Sequence, residues 1–410
     1  MGGEHFEEMV AWIAEAGLSG QSETALLTGF CERLADRDVR LARAMVLIDT
    51  LHPVYEGRAV VWGHDGEIRL TEYGSTETGE LAERWRQSPF YHLVNSGRSM
   101  MRRRLHAESV TDFPVIAALA EEGMTDYLAL VNRIAAEGVI GKMDCIYSSW
   151  VSDAPGGFRD ADLALLEGLV PMLALAMKTV SLARIAGTLV ETYLGRDAGR
   201  RVLSGRIERG VADRIDAVLW FSDLRGYTRI ADGSAPEHII PLLNDYADAV
   251  VSAIHDAGGD VLKLMGDGTL AIFTDGGRGG AGRAALHAAD AALAAVAALN
   301  ARRSASRLPV TDLYLGLHVG EVFYGNVGSE SRLDFTVVGP AVNEVSRIAA
   351  MCRSVDQPVL VSSAFAEAVG GVGDRFVSVG RFALRGVGEP QHLYTIDPRR
   401  AKDSPEAARV

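Results

Sequence analysis

The sequence predicts an α+β protein in which two folded domains are joined by a long helix. Its 410 residues are enough for two or three domains, and an apolar content of 48% is normal for a globular protein. Strand-type and helix-type patterns alternate on both sides of a long helical pattern that begins near Asp160. We therefore divide the chain into N-terminal helices (1–40), a first domain (41–185), a helical linker (186–212), a second domain (213–398) and a disordered tail (399–410).

The charge balance argues against two classes of partner. The chain carries 41 basic and 54 acidic residues, which gives a formal net charge of −13. Such acidity disfavours nonspecific binding to nucleic acids and to anionic membranes. The three cysteines, Cys31, Cys145 and Cys352, form no metal or redox motif, which is typical of a reducing cytoplasm.

No stretch has the pattern of a signal peptide or a membrane span. The N-terminus lacks a basic region followed by an apolar core. The most apolar long stretch, residues 163–190, is interrupted by Glu167, Lys178 and Arg184, so we expect a buried or pairing helix there. We therefore expect a cytoplasmic protein without a membrane span.

The first half of the chain shows a regular order of elements. Residues 1–40 have the apolar spacing of two amphipathic helices, with Ser22 as a candidate cap of the second. The later patterns indicate a strand at 45–51, a hairpin at 58–70, a helix at 113–122, strands at 124–131 and 139–150, and a long helix from 160. This order, with the stretch 158–166, resembles a GAF-type sensor domain. The resemblance implies a domain that binds a small molecule or only dimerises.

The second half contains three stretches with polar residues at the ends of predicted strands. In the first, 217–228, a buried strand ends in Asp223 and turns into a helix. Asp223 can hold a metal or simply cap the helix. The following turn presents backbone N–H groups that can receive phosphate oxygens, from Leu224, Arg225, Gly226, Tyr227 and Thr228.

The second stretch, 260–273, is predicted as a hairpin. Asp267-Gly268 between two apolar runs is a common two-residue turn, so Asp267 taken alone is a turn residue. Lys263 alternates with its leucine neighbours and projects from one face of its strand, as a solvated edge residue also does.

The third stretch, 333–347, is predicted as a strand followed by a helix. Pro340 suits the first turn of that helix. Asn343 and Arg347 are four residues apart and share one helical face, which can point at a ligand or at water.

The remaining patterns of the second half complete a mixed domain. They predict helices at 236–257 and 281–302, strands at 312–319 and 321–327, and strands near 376 and 393. Gly320, Gly325 and Gly328 have the positions of tight-turn or close-approach glycines.

Taken together, the three stretches resemble the catalytic domain of class III nucleotide cyclases, over about residues 205–397. Two carboxylates at strand ends fit a site for two Mg²⁺ ions, which prefer one or two carboxylates plus phosphate oxygens. An Arg and an Asn on one helix face fit charge stabilisation and hydroxyl orientation. The resemblance further implies a ferredoxin-like core, and residues 200–210 resemble the transducer segment that precedes such domains.

The resemblance assigns a role to each matching residue. It implies that Asp223, Asp267 and the carbonyl of Leu224 bind the metals. It implies that Lys263 and Thr336 read the purine and, as Lys and Thr, favour ATP. It implies that Asn343 orients the ribose and Arg347 stabilises the transition state. Where the family has a triphosphate-binding Lys, in 382–390, this chain has Arg385, which keeps the charge.

The expected function is therefore an adenylate cyclase that converts ATP to 3′,5′-cyclic AMP and pyrophosphate. The resemblance implies two Mg²⁺ ions per active site, with Mn²⁺ as a substitute, and a homodimer whose two sites each combine residues of both protomers. Regulation by the N-terminal domain is expected. Two alternatives stay open, which are a guanylate or dual-specificity cyclase and a catalytically silent nucleotide-binding scaffold.

Overall fold

The computed structural model describes residues 2–105, 112–134, 141, 143–371 and 375–396, with side chains from residue 5 onward. The chain forms two compact units, residues 1–189 and 190–410. Part of the strand predicted at 139–150 and the whole tail predicted at 399–410 lie outside the described residues. The two units are taken separately below.

The first unit is built on a six-stranded antiparallel sheet. Its strands are β1 Arg43–Asp49, β2 Gly57–Gly63, β3 Ile68–Tyr73, β4 Met100–Arg104, β5 Asp126–Arg133 and β6 Cys145–Ser152. They lie in the order β3-β2-β1-β6-β5-β4. Its helices are α1 Gly2–Leu18, α2 Glu23–Ala35, α3 Gly79–Arg86, α4 Pro89–Ser96, α5 Pro114–Glu121 and α6 Asp160–Leu194, whose last turn belongs to the second unit.

Apolar side chains of α1, α2 and α6 form one buried core with strand residues of this sheet. The two N-terminal helices are confirmed, and the Ser22 side chain caps α2 by accepting a hydrogen bond from the Ala25 N–H at 3.2 Å. The hairpin at 58–70 is confirmed as β2 and β3. The sequence reading missed α3, α4 and β4, because these short elements bury few residues and give little periodicity.

The long helix is confirmed as α6, which runs for 35 residues. Its buried side chains recur at helical spacing, with Leu166, Leu169, Leu173 and Met177 in the core of the first unit. Among the described residues, α6 and a second helix, α10 Gly277–Ala305, are long and apolar enough to cross a membrane by length and composition alone. Core helices pass the same test, and α10 contributes ten buried residues, most of them in the core of the second unit.

The second unit is built on an eight-stranded mixed sheet, which agrees with the expected α+β class. Its strands are β7 Ala212–Leu224, β8 Asp260–Met265, β9 Gly268–Phe273, β10 Leu313–Gly328, β11 Leu333–Val338, β12 Val359–Ser362, β13 Phe376–Phe382 and β14 Gln391–Ile396. The order is β13-β14-β12-β10-β7-β9-β8, with β11 paired to β10. The remaining helices are α7 Arg196–Leu203, α8 Tyr227–Gly233, α9 Ile239–Asp256, α11 Pro340–Val355 and α12 Ser363–Ala368.

The prediction of two separate strands at 312–319 and 321–327 is wrong. Residues Leu313–Gly328 form the single strand β10, in which Gly320 pairs with Ala217 of β7. A Cβ at residue 320 would lie 2.5 Å from the Cβ of Ala341 on α11. Gly320 is therefore a close-approach glycine that lets a helix pack on the strand, and no turn forms there.

The predicted linker at 186–212 contains two helices. Helix α6 ends at Leu194, and the short helix α7 follows and buries Ala198 in the second unit. Strand β7 begins at Ala212, five residues earlier than the predicted strand start at Ala217.

Candidate active site

The two predicted metal-binding aspartates lie side by side in the second unit. Asp223 stands near the end of β7, and Asp267 stands in the turn that joins β8 to β9, the strand paired with β7. Burial, together with the neighbouring Asp267 carboxyl, raises the pKa of Asp223 to about 6. The N–H of Leu224 donates to Asp223 Oδ1 at 3.0 Å. Two carboxyl groups that face each other are a suitable pair of ligands for a divalent cation.

The turn that carries Asp267 differs from the predicted Asp-Gly turn. Met265 pairs with Gly268, so the two loop residues are Gly266 and Asp267. Of these two residues, only Gly266 has a positive φ, 65°, a backbone conformation that glycine adopts without strain. The one-residue shift leaves Asp267 at the tip of the hairpin.

The donor set around this pair fits magnesium better than a transition metal. Within the described residues, no group of three or more His, Cys, Asp and Glu side chains is placed to hold a metal ion. Two carboxylates with a backbone carbonyl leave the remaining positions to water and phosphate oxygens, as Mg²⁺ prefers. The predicted carbonyl ligand, Leu224, is buried at the last position of β7.

In the turn after Asp223, two of the five predicted phosphate-binding N–H groups, those of Leu224 and Arg225, already have acceptors within the protein. The N–H of Arg225 donates to the Asp312 carbonyl at 2.8 Å, so this donor is occupied. Gly226, with φ 70°, precedes α8, and Tyr227 and Thr228 stand in its first turn, where helical N–H groups have no partner within the helix. The Arg225 guanidinium binds Asp356 Oδ1 at 3.1 Å.

The predicted base-reading residues lie on β8 and β11, two strands that are not paired in the sheet. The Lys263 ammonium on β8 forms an ion pair with the Asp334 carboxylate on β11. Asp334 and Thr336 are two residues apart in β11 and therefore point to the same face. The ion pair thus places Lys263 at the face of β11 that carries Thr336.

The predicted ribose and transition-state residues lie on α11. Asn343 is exposed, and Arg347, four residues later on the same face, is half-buried. A Cβ at Gly386 would lie 3.4 Å from Arg347 Nη2, so the guanidinium reaches the turn that follows Arg385. Arg385 itself is exposed. The structure therefore brings Arg347 and the predicted triphosphate-binding segment together.

Within one chain the aspartate pair and Asn343 are separated. The last turn of α11 lies near Asp223, because the Cys352 thiol donates to the carbonyl of Leu315, whose neighbour Tyr314 pairs with Asp223 across β10 and β7. Arg353 in this turn also counteracts the rise in the pKa of Asp223. Asn343 stands ten residues before Arg353, about 15 Å away along the helix axis. The predicted residues thus form two groups, one around Asp223 and one around Asn343.

The sequence reading missed a buried polar contact beneath α11. His318 Nδ1 lies 2.8 Å from Ser362 Oγ, and His318 Nε2 lies 3.4 Å from Glu344 Oε2. Burial lowers the pKa of His318 to about 4, so the ring is neutral and its contact with Glu344 is no ion pair. No sequence signal places these residues together, because they come from β10, β12 and α11.

A separate cavity of about 940 Å³ lies in the first unit. Its wall includes an aromatic group in which the rings of Trp85 and Phe90 lie 5.2 Å and 5.5 Å from that of Tyr147. Polar groups also line it, among them Tyr73, whose hydroxyl donates to Asp49 Oδ1 at 2.8 Å. This volume and lining suit a small organic molecule.

Comparison with known proteins finds similarity over most of the second unit. Residues 211–397 match the family model described as the adenylate and guanylate cyclase catalytic domain. An adenylate cyclase of Anabaena cylindrica is 36% identical over 156 residues, which cover 38% of this chain and 31% of that protein. An uncharacterized protein of Mycobacterium tuberculosis (strain ATCC 25618 / H37Rv) is 34% identical over 209 residues, which cover 50% of this chain and 38% of that protein.

These curated relatives are longer than the region they share with the chain. The aligned residues span about a third of the length of each of the two relatives. Among solved structures, the crystal structure of the guanylyl cyclase Cya2 is 29% identical, with a TM-score of 0.40, and the match covers 45% of this chain and 93% of that one.

Proposed function

We propose that the chain is an adenylate cyclase, because residues 211–397 match the adenylate and guanylate cyclase catalytic domain. It converts ATP to 3′,5′-cyclic AMP and pyrophosphate. The observation that carries the proposal is the pair of facing carboxyl groups, Asp223 and Asp267, at the end of β7 and the tip of the β8–β9 hairpin.

Asp223, Asp267 and the Leu224 carbonyl would hold two Mg²⁺ ions, or Mn²⁺ in their place. Bound there, the ions supply charge neutralisation of the triphosphate and a lower pKa for the ribose 3′-hydroxyl. The like charges of the two carboxylates support this assignment, because a cation between them relieves their repulsion.

The side chains of the second group act on the nucleotide itself. The reaction forms a bond from the 3′-oxygen to the α-phosphorus and breaks the bond from that phosphorus to the bridging oxygen, so pyrophosphate leaves and the 3′-proton passes to water. Asn343 orients the ribose, and Arg347 stabilises the charge that develops on the α-phosphoryl group. Arg385, beside the turn that Arg347 reaches, binds the triphosphate.

The active enzyme is a homodimer in this proposal. The separation of about 15 Å along α11 between Asn343 and the part of the helix near Asp223 supports a site completed by a second copy. Exposed apolar side chains on β8, β10 and β11 give such a copy a surface to cover, namely Leu264, Met265, Phe323, Val327, Leu333 and Val338.

The first unit regulates the catalytic domain in this proposal. Support comes from its cavity of about 940 Å³, which is large enough for a drug-sized molecule. A small molecule with an aromatic or apolar body matches the wall formed by Trp85, Phe90 and Tyr147.

The proposal is tested by incubating the full chain with ATP or GTP, in Mg²⁺ or Mn²⁺, and quantifying the cyclic products. Cyclic AMP from ATP, with little or no cyclic GMP from GTP, is the expected result, because Lys and Thr stand at the base-reading positions. Cyclic GMP as the main product would replace the proposal with a guanylate cyclase. No cyclic product under any condition, from protein that binds ATP, would replace it with a silent nucleotide-binding scaffold.

A further inference from the structure

An ion pair joins the two strands that carry the predicted base readers. Lys263 lies on β8 and Asp334 on β11, and these strands are not hydrogen-bonded neighbours in the sheet. Strand β8 pairs with β9, and strand β11 pairs with β10. The ion pair therefore connects two separate β-hairpins. The pair is therefore not a consequence of strand register.

The side of β11 that carries Asp334 is open to solvent. Phe335 and Val337 point inward and are buried, whereas Asp334 and Thr336 alternate with them and are partly exposed. The side chains of Lys263 and Asp334 are 45% and 41% exposed. Lys263, Asp334 and Thr336 thus form one polar patch that a nucleotide base can reach.

The fold does not require this ion pair. An ion pair this exposed contributes little to stability, because water solvates both charges in the unfolded chain and screens them in the folded one. Its effect is on geometry, since a lysine ammonium on four rotatable bonds otherwise samples many positions. The ion pair with Asp334 keeps the Lys263 ammonium near Thr336.

We propose that Asp334 is a positioning residue for base selection, an inference that rests on the proposed function. It holds the Lys263 ammonium where it donates a hydrogen bond to N1 of the purine. Adenine N1 accepts a hydrogen bond. Guanine N1 carries a hydrogen and is itself a donor, so it cannot accept a hydrogen bond from the ammonium. A Lys263 released from Asp334 can turn towards the guanine O6 acceptor, so discrimination against GTP weakens.

The test compares Asp334→Asn and Asp334→Ala with the wild-type full chain, measuring kcat and KM for both nucleotides. We expect the ratio of kcat/KM for ATP to that for GTP to fall about tenfold in both variants, mainly through a higher KM for ATP. Asp334→Glu, which keeps a carboxylate, should restore part of the ratio. Asp216→Asn is the matched control, because Asp216 also forms a surface ion pair, with Arg278 at 2.7 Å, away from the patch.

A double-mutant cycle tests whether Asp334 affects base selection through Lys263. If Asp334 acts through Lys263, Asp334→Ala should change selectivity little in a Lys263→Ala background. Additive effects would overturn the inference, and so would an unchanged ATP-to-GTP ratio in a folded Asp334→Ala variant whose wild-type parent makes cyclic AMP. A wild-type chain that makes no cyclic nucleotide would overturn the proposed function and this inference together.

Discussion

At the scale of single residues, the candidate site depends on charges that the protein holds close together. Asp223 and Asp267 face each other, and the pKa of Asp223 rises because burial and a like charge both oppose its ionisation. Lys263 and Asp334 show the opposite case, an exposed pair of unlike charges. We therefore expect substitutions at these residues to affect function far more than folding.

Replacing Asp267 by Asn should separate function from stability. The variant removes a proposed metal ligand, so cyclase activity should fall about 100-fold or more. It also removes the repulsion with Asp223, so the metal-free protein should gain stability on the order of 1 kcal/mol. Thermal unfolding in EDTA, and again in Mg²⁺, measures this effect: Mg²⁺ should raise the melting temperature of the wild type and leave the variant unchanged. Full activity in the variant would remove Asp267 from the metal site.

His318 should make the stability of the protein depend on pH. Its pKa is about 4 in the folded state, below the usual value of about 6.5 in an unfolded chain. The unfolded state therefore binds the proton first, and stability is lost as the pH falls from 6.5 towards 4. The loss between pH 7.5 and pH 5 should be about 2 kcal/mol.

His318→Gln tests the origin of this dependence, because glutamine does not titrate. Chemical unfolding at the two pH values should show the wild type losing more stability than the variant. Equal losses in both proteins would show that the imidazole is not the titrating group.

At the scale of elements, helix α11 is held against strand β10 by close packing at glycines. A Cβ at residue 316 would lie 2.7 Å from the backbone N of Ala349 and 2.8 Å from the carbonyl oxygen of Val345. Since both atoms belong to the backbone of α11, no side-chain movement can relieve the contact. The orientation of the helix that carries Asn343 and Arg347 depends on this approach.

Gly316→Ala should therefore push α11 away from the sheet. We expect a destabilisation of about 1–3 kcal/mol together with lower kcat, because Asn343 and Arg347 move with the helix. Gly233→Ala is the control, since a Cβ at residue 233 meets no atom within 4 Å. Denaturant unfolding and cyclase rates of both variants provide the measurement, and a Gly316→Ala chain as stable as the control would contradict this packing.

The sequence predicted the elements whose patterns are local. The helices α1, α2 and α6 and the β8–β9 hairpin follow from apolar periodicity and turn residues. Strand β10 was wrongly divided at Gly320, because a glycine that admits a helix and a glycine that makes a turn look alike in a sequence. The contacts of Asp334 with Lys263 and of Glu344 with His318 join residues from separate elements, so no local pattern could give them.

At the scale of the whole molecule, one unit carries a cavity and the other the proposed catalytic residues. The cavity in the first unit is lined by Val115, a residue that is 41% exposed. A larger side chain there fills part of the cavity without entering a packed core.

Val115→Trp should therefore change the cyclase rate of the full chain if the first unit regulates catalysis. Val54→Trp is the control, because Val54 is 69% exposed and does not line the cavity. Initial rates with ATP measure the effect. Equal rates for the two variants and the wild type would argue against regulation through this cavity.

The central claim is a cyclase site shared between two copies of the chain, and mixing two inactive variants tests it most directly. Asp267→Ala chains lack a proposed metal ligand, and Arg347→Ala chains lack the proposed transition-state arginine, so a homodimer of either variant should be inactive. A mixture in equal amounts should recover about a quarter of the wild-type rate, because half of the dimers are mixed and each mixed dimer has one intact site of two. Recovery of cyclic AMP synthesis is the predicted result. No recovery, with mixed dimers isolated by two different affinity tags, would contradict the shared site.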